Sequence, residues 1–245
     1  MCFPETDAAA AVRLQGGRCG TGAGSPGREN MAGRMEMSYA AVSCGEYLRM
    51  LSSKAPVPGG GGASAFAGAL AASLSGMVAN LTIGKKKYRE YEAEMTALRE
   101  ESEALTKELL LLVDEDAEAF SQAAAVFRMP RDTEDERAER EKMMEPALRR
   151  ASEIPLRIME KACRVVELTQ VCSQKGSALA VSDSGCAASL ALAALQSASL
   201  GVYGNTALMK DRSCAEAMDA RVKAMLDEYA PMAQKTYEDV RSRLM

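Results

Sequence analysis

From Ser38 onward the apolar residues recur at helical spacing, and no stretch alternates in the way a half-buried strand requires. A short first helix is expected over about 39–51, with Leu48 and Leu51 on its inner face. The pattern then changes. Between Lys54 and Lys85 no residue is ionisable at neutral pH; Pro56-Val57-Pro58 and four glycines, Gly59–Gly62, open a run dominated by Ala, Gly, Ser and Leu. A helix over 63–83 with no charged side belongs inside a protein. Gly68, Ala72 and Gly76 recur at every fourth position and strip one side of it of bulk, which lets another backbone approach. A basic break, Lys85-Lys86-Lys87, follows. From about Tyr88 to Phe127 the apolar seam alternates three and four: Met95, Leu98, Ser102, Leu105, Leu109, Leu112, Asp116, Ala119, Ala123, Val126. Such a heptad seam predicts a long helix, about 60 Å, lying along a partner helix.

Met129-Pro130 ends that helix, and Thr133 with Glu136 forms a capping-box signature for the next. The next segment is heavily charged to Arg150 and reads as an outer helix. Pro155 marks a new turn or a kink. Leu156, Met159, Cys163, Val166 and Thr169 then carry a stripe to about Ser173, and Gly176 breaks the chain. Ser182-Asp183-Ser184 reads as the cap of a second nearly charge-free helix over 184–203. Ser213 with Glu216 reads as the cap of a closing helix to about Leu244. The expected architecture is all-α: a helical bundle with two buried, charge-free central helices. So much small-residue surface also invites a symmetric dimer.

Composition narrows this picture. At 245 residues and 47% hydrophobic content the chain can fill a full core, and its formal charge of −4 argues against a nucleic-acid partner. It has no His, so the usual neutral-pH acid–base group and the commonest zinc ligand are both missing, and acid–base work falls to Asp, Glu, Lys, Tyr or Cys. Seven cysteines, scattered and without a C-x-x-C pair, suit reduced thiols in the cytoplasm, with no metal site. Residues 63–83 have the length of a membrane span, but Ser64, Ser73, Ser75, Asn80 and Thr82 dilute their apolarity, so no membrane partner is expected. Residues 1–35 are glycine-rich and lack periodicity. They are expected to be disordered or untranslated, with Met31, Met35 or Met37 as alternative starts, leaving 36–245 as the helical domain.

Among residues able to do chemistry, Asp116 stands out because it alone of the Asp114/Asp116 pair falls on the apolar seam. A carboxylate there is either a general acid–base group raised in pKa by burial, or a register-setting polar residue or ion-pair partner. Asp114 reads as its solvated companion. The N–H groups around Gly60, Gly61 and Gly62 open a helix and could receive an anion, or simply allow tight packing. Lys86 and Lys87 serve as a solvated complement to a helix C-terminus or as a clamp for a carboxylate ligand. Asp183 and Asn205 read as a cap and a turn residue when taken alone.

Pro58-Gly-Gly-Gly-Gly-Ala-Ser64, Gly84-Lys-Lys-Lys-Tyr88, Val113-Asp-Glu-Asp-Ala-Glu-Ala-Phe120, Ser182-Asp-Ser-Gly185 and Gly201-Val-Tyr-Gly-Asn205 occur in that order. Together they resemble the cyclodeaminase/cyclohydrolase family of folate enzymes over about residues 38–245. The resemblance implies an all-helical homodimer acting on the one-carbon bridge between N5 and N10 of tetrahydrofolate, with no cofactor beyond the folate substrate itself. It maps the catalytic aspartate to the Asp114–Asp116 motif, where the seam selects Asp116. It makes Gly60, Gly61, Gly62, Lys86, Lys87, Asp183 and Asn205 candidates for substrate binding: the glycines and lysines for the glutamate tail, Asp183 for the pterin amino group. With no formiminotransferase half in view, the first expectation is methenyltetrahydrofolate cyclohydrolase, the alternative formiminotetrahydrofolate cyclodeaminase, and the rival of another class a non-catalytic helical scaffold.

Overall fold

A computed structural model describes residues 38–245, and the expectation for 1–35 lies outside them. Among the described residues there are six α-helices and no strand: α1 Cys44–Leu51, α2 Gly60–Asn80, α3 Glu92–Phe127, α4 Glu134–Lys175, α5 Val181–Thr206 and α6 Arg212–Leu244. Short 3-10 turns, Lys86–Tyr91 and Ala178–Ala180, lead into α3 and α5. Helices α2 and α5 form the central pair, with α3 beside α2, α6 beside α5, and α4 against all four.

The seam read from the sequence is the buried face of α3. Met95, Leu98, Ser102, Leu105, Leu109, Leu112, Ala119, Ala123 and Val126 are all buried, and only Asp116 is partly open. Opposite α4 the same helix carries Glu94, Glu101, Glu108 and Glu115, seven residues apart. They pair in turn with Lys175, Arg164, Lys161 and Arg157, so α3 and α4 run antiparallel. Half-exposed pairs of this kind add little stability each. Like flanking charges in a coiled coil, a ladder of four favours this register, because a slip of one turn leaves some of the glutamates without a cation.

Small residues do what was expected of them in α2. Leu109 lies against Gly68 from one side and Ala194 of α5 from the other, while Ser102 sits on Gly76. The pair α2–α5 is not wholly enclosed, however. Leu70 is 53% exposed and shares an outward face with Met77 and Leu81, and Leu200 of α5 is 71% exposed. Absence of charge marks these helices as apolar; it does not mean that one chain covers them. By length and composition both would pass as membrane spans, but about half of each is packed inside the bundle.

Several boundaries differ from those expected. Ser43 caps α1 by accepting from the Glu46 N–H, so the helix starts at Cys44. Its inward residue is Tyr47, whose ring stacks on Phe66 at 4.6 Å, while Leu48 is 56% exposed. Helix α2 begins at Gly60 rather than 63, which makes the glycines its first turn. The 3-10 turn before α5 runs straight into the helix at Val181, so Asp183 lies within the first turn and not at the cap. For α6 the cap is Asp211, which accepts from the Cys214 N–H at 3.0 Å, in place of Ser213. The Thr133–Glu136 capping box is present as read.

Pro155 neither ends nor restarts a helix: α4 is continuous for 42 residues through Pro146 and Pro155. A proline within a helix leaves the carbonyl four residues back without its N–H partner. Here that carbonyl is Ala151, and the Asn205 side-chain amide of α5 donates to it at 2.9 Å. The other amide hydrogen goes to the Gly201 carbonyl, also at 2.9 Å, and Gly201 offers the bare backbone against which the Pro155 ring rests. Losing that donor strands a carbonyl in the bundle, so Asn205→Ala should cost about 1–3 kcal/mol in urea unfolding. Combining it with Pro155→Ala, which restores the N–H, should remove most of the cost; strictly additive effects would exclude this coupling.

Candidate active site

The first turn of a helix has N–H groups with no partner of their own, and α2 begins with three residues that have no side chains to cover theirs. One of these, the Gly62 N–H, donates to Asp116 Oδ2 at 2.9 Å. The carboxylate reaches it because α3 crosses directly over the glycines. A Cβ on Gly61 would stand 2.0 Å from Asp116 Oδ1, and one on Gly62 would meet the Tyr47 hydroxyl at 3.1 Å. Gly60 has open space around it, so the packing demand falls on Gly61 and Gly62.

Burial raises the Asp116 pKa to about 6, against the smaller opposing pull of the Gly62 N–H. Among the described residues no cation pairs with it. The neighbouring glutamates take the cations on α4: Glu115 holds Arg157, and Glu118 lies near Arg150. The ion-pair reading of Asp116 therefore does not hold, and a half-sealed carboxyl group that titrates near neutrality is left beside a helix N-terminus. Asp114 is not the solvated companion expected. It accepts from Ser38 Oγ and the Tyr39 N–H, both at 2.6 Å, and ties the segment before α1 to α3.

The other candidates divide between the two ends of the bundle. Lys86 and Lys87 follow the C-terminus of α2, about 30 Å along the helix from its glycines. Both are exposed, with Lys87 Nζ 5.4 Å from the centre of the Tyr88 ring, while Lys85 donates to Ser177 Oγ at 2.8 Å. Asp183, at the start of α5, shares that end. Asn205 lies at the Asp116 end, but both its amide hydrogens serve backbone carbonyls. Between the ends, an open groove of about 520 Å³ runs along α2 and α3, lined among others by Ser73, Gly76, Asn80, Arg99 and Lys107. Within one chain, then, Asp116 and the glycines come together, and the lysines and Asp183 stand apart from them.

Tyr47 was missed by the sequence reading. It is 5% exposed, and its buried hydroxyl has no hydrogen-bond partner. One signal was available: Tyr47 is the one aromatic in a helix of eight residues, and a ring is a larger inward anchor than its neighbour Leu48.

An Asp whose folded pKa is raised from about 3.9 to about 6 is stabilising in relative terms only at low pH, and that contribution is lost as pH climbs from about 4 through 6. Asp116→Asn should therefore stabilise the protein by about 2–3 kcal/mol at pH 8 and by almost nothing near pH 4. Urea unfolding at the two pH values measures the difference; an equal effect at both would contradict a buried, raised carboxyl.

Comparison with known proteins places these features in a family. The family model described as formiminotransferase-cyclodeaminase matches residues 43–224. A methenyltetrahydrofolate cyclohydrolase of Methylorubrum extorquens is 38% identical over 198 residues, 81% of this chain and 95% of that one. The formimidoyltransferase-cyclodeaminase of Rattus norvegicus is 29% identical over 79% of this chain, which spans only 36% of the rat protein. A solved formiminotetrahydrofolate cyclodeaminase from Thermotoga maritima superposes with a TM-score of 0.75 over 84% of this chain and 98% of its own, at 24% identity, and so shares the all-helical fold. The chain thus belongs to the formiminotransferase-cyclodeaminase family, the cyclodeaminase/cyclohydrolase group that its glycine, lysine and aspartate motifs resemble.

Proposed function

We propose that this protein is a methenyltetrahydrofolate cyclohydrolase in which Asp116 moves the proton. The carrying observation is its carboxyl group, half-sealed, without a cation among the described residues and oriented by one main-chain N–H. The near-full-length similarity to the Methylorubrum protein supports the same choice.

The methenyl carbon is a cationic bridge between N5 and N10, and hydrolysis begins when water adds to it. As the C–O bond forms, Asp116 as a carboxylate takes a proton from that water, leaving a neutral hydroxyl adduct. The C–N5 bond then breaks and N5 receives the proton held by Asp116. The hydroxyl proton leaves to solvent as the formyl carbonyl forms, so one proton is released overall and 10-formyltetrahydrofolate results. A base with a pKa near 6 suits both halves of this cycle, since it ionises at neutral pH yet returns its proton readily. Its charge also favours a cationic substrate over a neutral product. Cyclodeaminase chemistry, ring closure with loss of ammonia, runs through a similar tetrahedral carbon and is the second reading, favoured by the animal relatives and the shared fold.

The active species in this reading is a homodimer in the cytoplasm, with folate as its partner and neither nucleic acid nor membrane. Its five described cysteines are free thiols, as a reducing compartment would keep them. A second copy seated on the outward face of α2, at Leu70, Met77 and Leu81, would bury an apolar surface that one chain leaves open. An antiparallel pairing would bring Lys86 and Lys87 of one copy toward Asp116 of the other, so the substrate's glutamate tail would be held in trans.

Two tests follow. Cyclohydrolase activity empties the methenyl absorbance and cyclodeaminase activity fills it, so both substrates should be assayed. The hydrolytic rate should fall below pH 6 as Asp116 protonates. Asp116→Asn should lose at least a hundredfold in kcat, as removal of a general base does, and Asp114→Asn should lose stability with most activity retained. An active Asp116→Asn variant overturns the reading. For the dimer, mixing inactive Asp116→Asn chains with Lys86→Gln/Lys87→Gln chains should restore about one quarter of parent activity, because half the dimers are mixed and each holds one intact site. Activity equal to the mean of the two separate variants would place the lysines in cis or outside the site.

A further inference from the structure

A buried hydroxyl without a partner costs free energy and calls for an explanation. Tyr47 has its ring packed on Phe66 and its hydroxyl pressed against Gly62, the residue whose N–H holds Asp116. That oxygen is sealed from solvent, so no bulk water satisfies it. Beside the same glycines, Asp116 has one oxygen bonded to Gly62 while Oδ1 rests on Gly61 with no donor among the described residues. An idle donor and an idle acceptor therefore flank two adjacent residues of one helical turn.

We infer that Tyr47 is a positioning residue that donates its hydroxyl proton to Asp116 Oδ1 when the carboxyl ionises and turns, giving the carboxylate a second anchor beside the Gly62 N–H. The inference rests on the reading of Asp116 as the proton carrier. Burial, and then the charge of Asp116, raise the phenol to about 12, so it remains a donor throughout the working range. Among the described residues nothing else nearby competes for the role. Helix α2 carries no charge. On α1, Glu46 and Arg49 pair with each other at the surface. On α4, Arg157 and Arg150 face Glu115 and Glu118, and on α3 itself Asp114 is held by Ser38 and Tyr39. Such a bond favours the ionised form of Asp116. It lowers the midpoint below the value of about 6 that burial and the Gly62 N–H set between them, so a larger share of Asp116 is ionised at neutral pH.

The test reads Asp116 directly, by carbon NMR titration of aspartate labelled at the carboxyl carbon, with its signal assigned by its loss in Asp116→Asn. In Tyr47→Phe the midpoint should rise by about one pH unit. The acid limb of the activity profile should rise with it, with kcat affected more than KM. Site-specific 3-fluorotyrosine, a stronger donor of nearly the same shape, should move the midpoint the other way and keeps the test open if the Phe variant folds poorly. A midpoint unchanged in the fluorinated protein overturns the inference, as does an unchanged midpoint in folded Tyr47→Phe. The titration needs no substrate. Failure of the folate assays with a shifted midpoint would therefore count against the proposed reaction alone, and activity with an unshifted midpoint against Tyr47 alone.

Discussion

How closely the backbone of α2 can lie on α3 decides what happens at the N-terminal end of this bundle. Glycine at 61 and 62 removes the side chains that would hold the helices apart, and the carboxyl group of Asp116 occupies the space so vacated. The same approach gives Asp116 a main-chain donor and shuts out most solvent. Those two effects act on one quantity, the proton affinity of a single group. Desolvation is the larger, the N–H opposes it, and the balance stands near neutrality.

The heptad seam of α3, with Asp116 as its one acidic member, was legible in the residues because a helix repeats its faces at fixed intervals and a charge on an apolar face breaks the pattern. The capping box at Thr133 was legible for the same local reason. What escaped were features set by a neighbour. Pro155 looks like a break when read within its own segment, and only the Asn205 amide, fifty residues on, explains why the helix continues. Leu48 lost its inner place to Tyr47 because Phe66 of another helix offered a ring to pack on. Asp114 looked exposed because Ser38 and Tyr39, which bind it, lie some 75 positions away.

The charge-free helices teach a related lesson. Composition correctly marks α2 and α5 as the central pair, but it does not say who covers each side. One flank of α2 is closed by α3 and α5 of its own chain, while the flank bearing Leu70 and Met77 is left bare. The separation of Lys86 and Lys87 from Asp116 along this helix agrees with that division. Under the proposed function both ends serve one ligand, and assembly of two copies would present them together.

The donor to Asp116 belongs to the peptide unit of Gly62 and to no side chain. If Asp116 carries the proton as proposed, random mutagenesis would find the aspartate at once yet never delete its partner, since nearly every replacement at position 62 carries the same amide. Changes there would act through bulk alone, by pushing the helices apart. In a survey of inactive variants, position 62 would therefore register as a packing defect, and its electrostatic share would go unseen unless the amide itself were replaced by an ester.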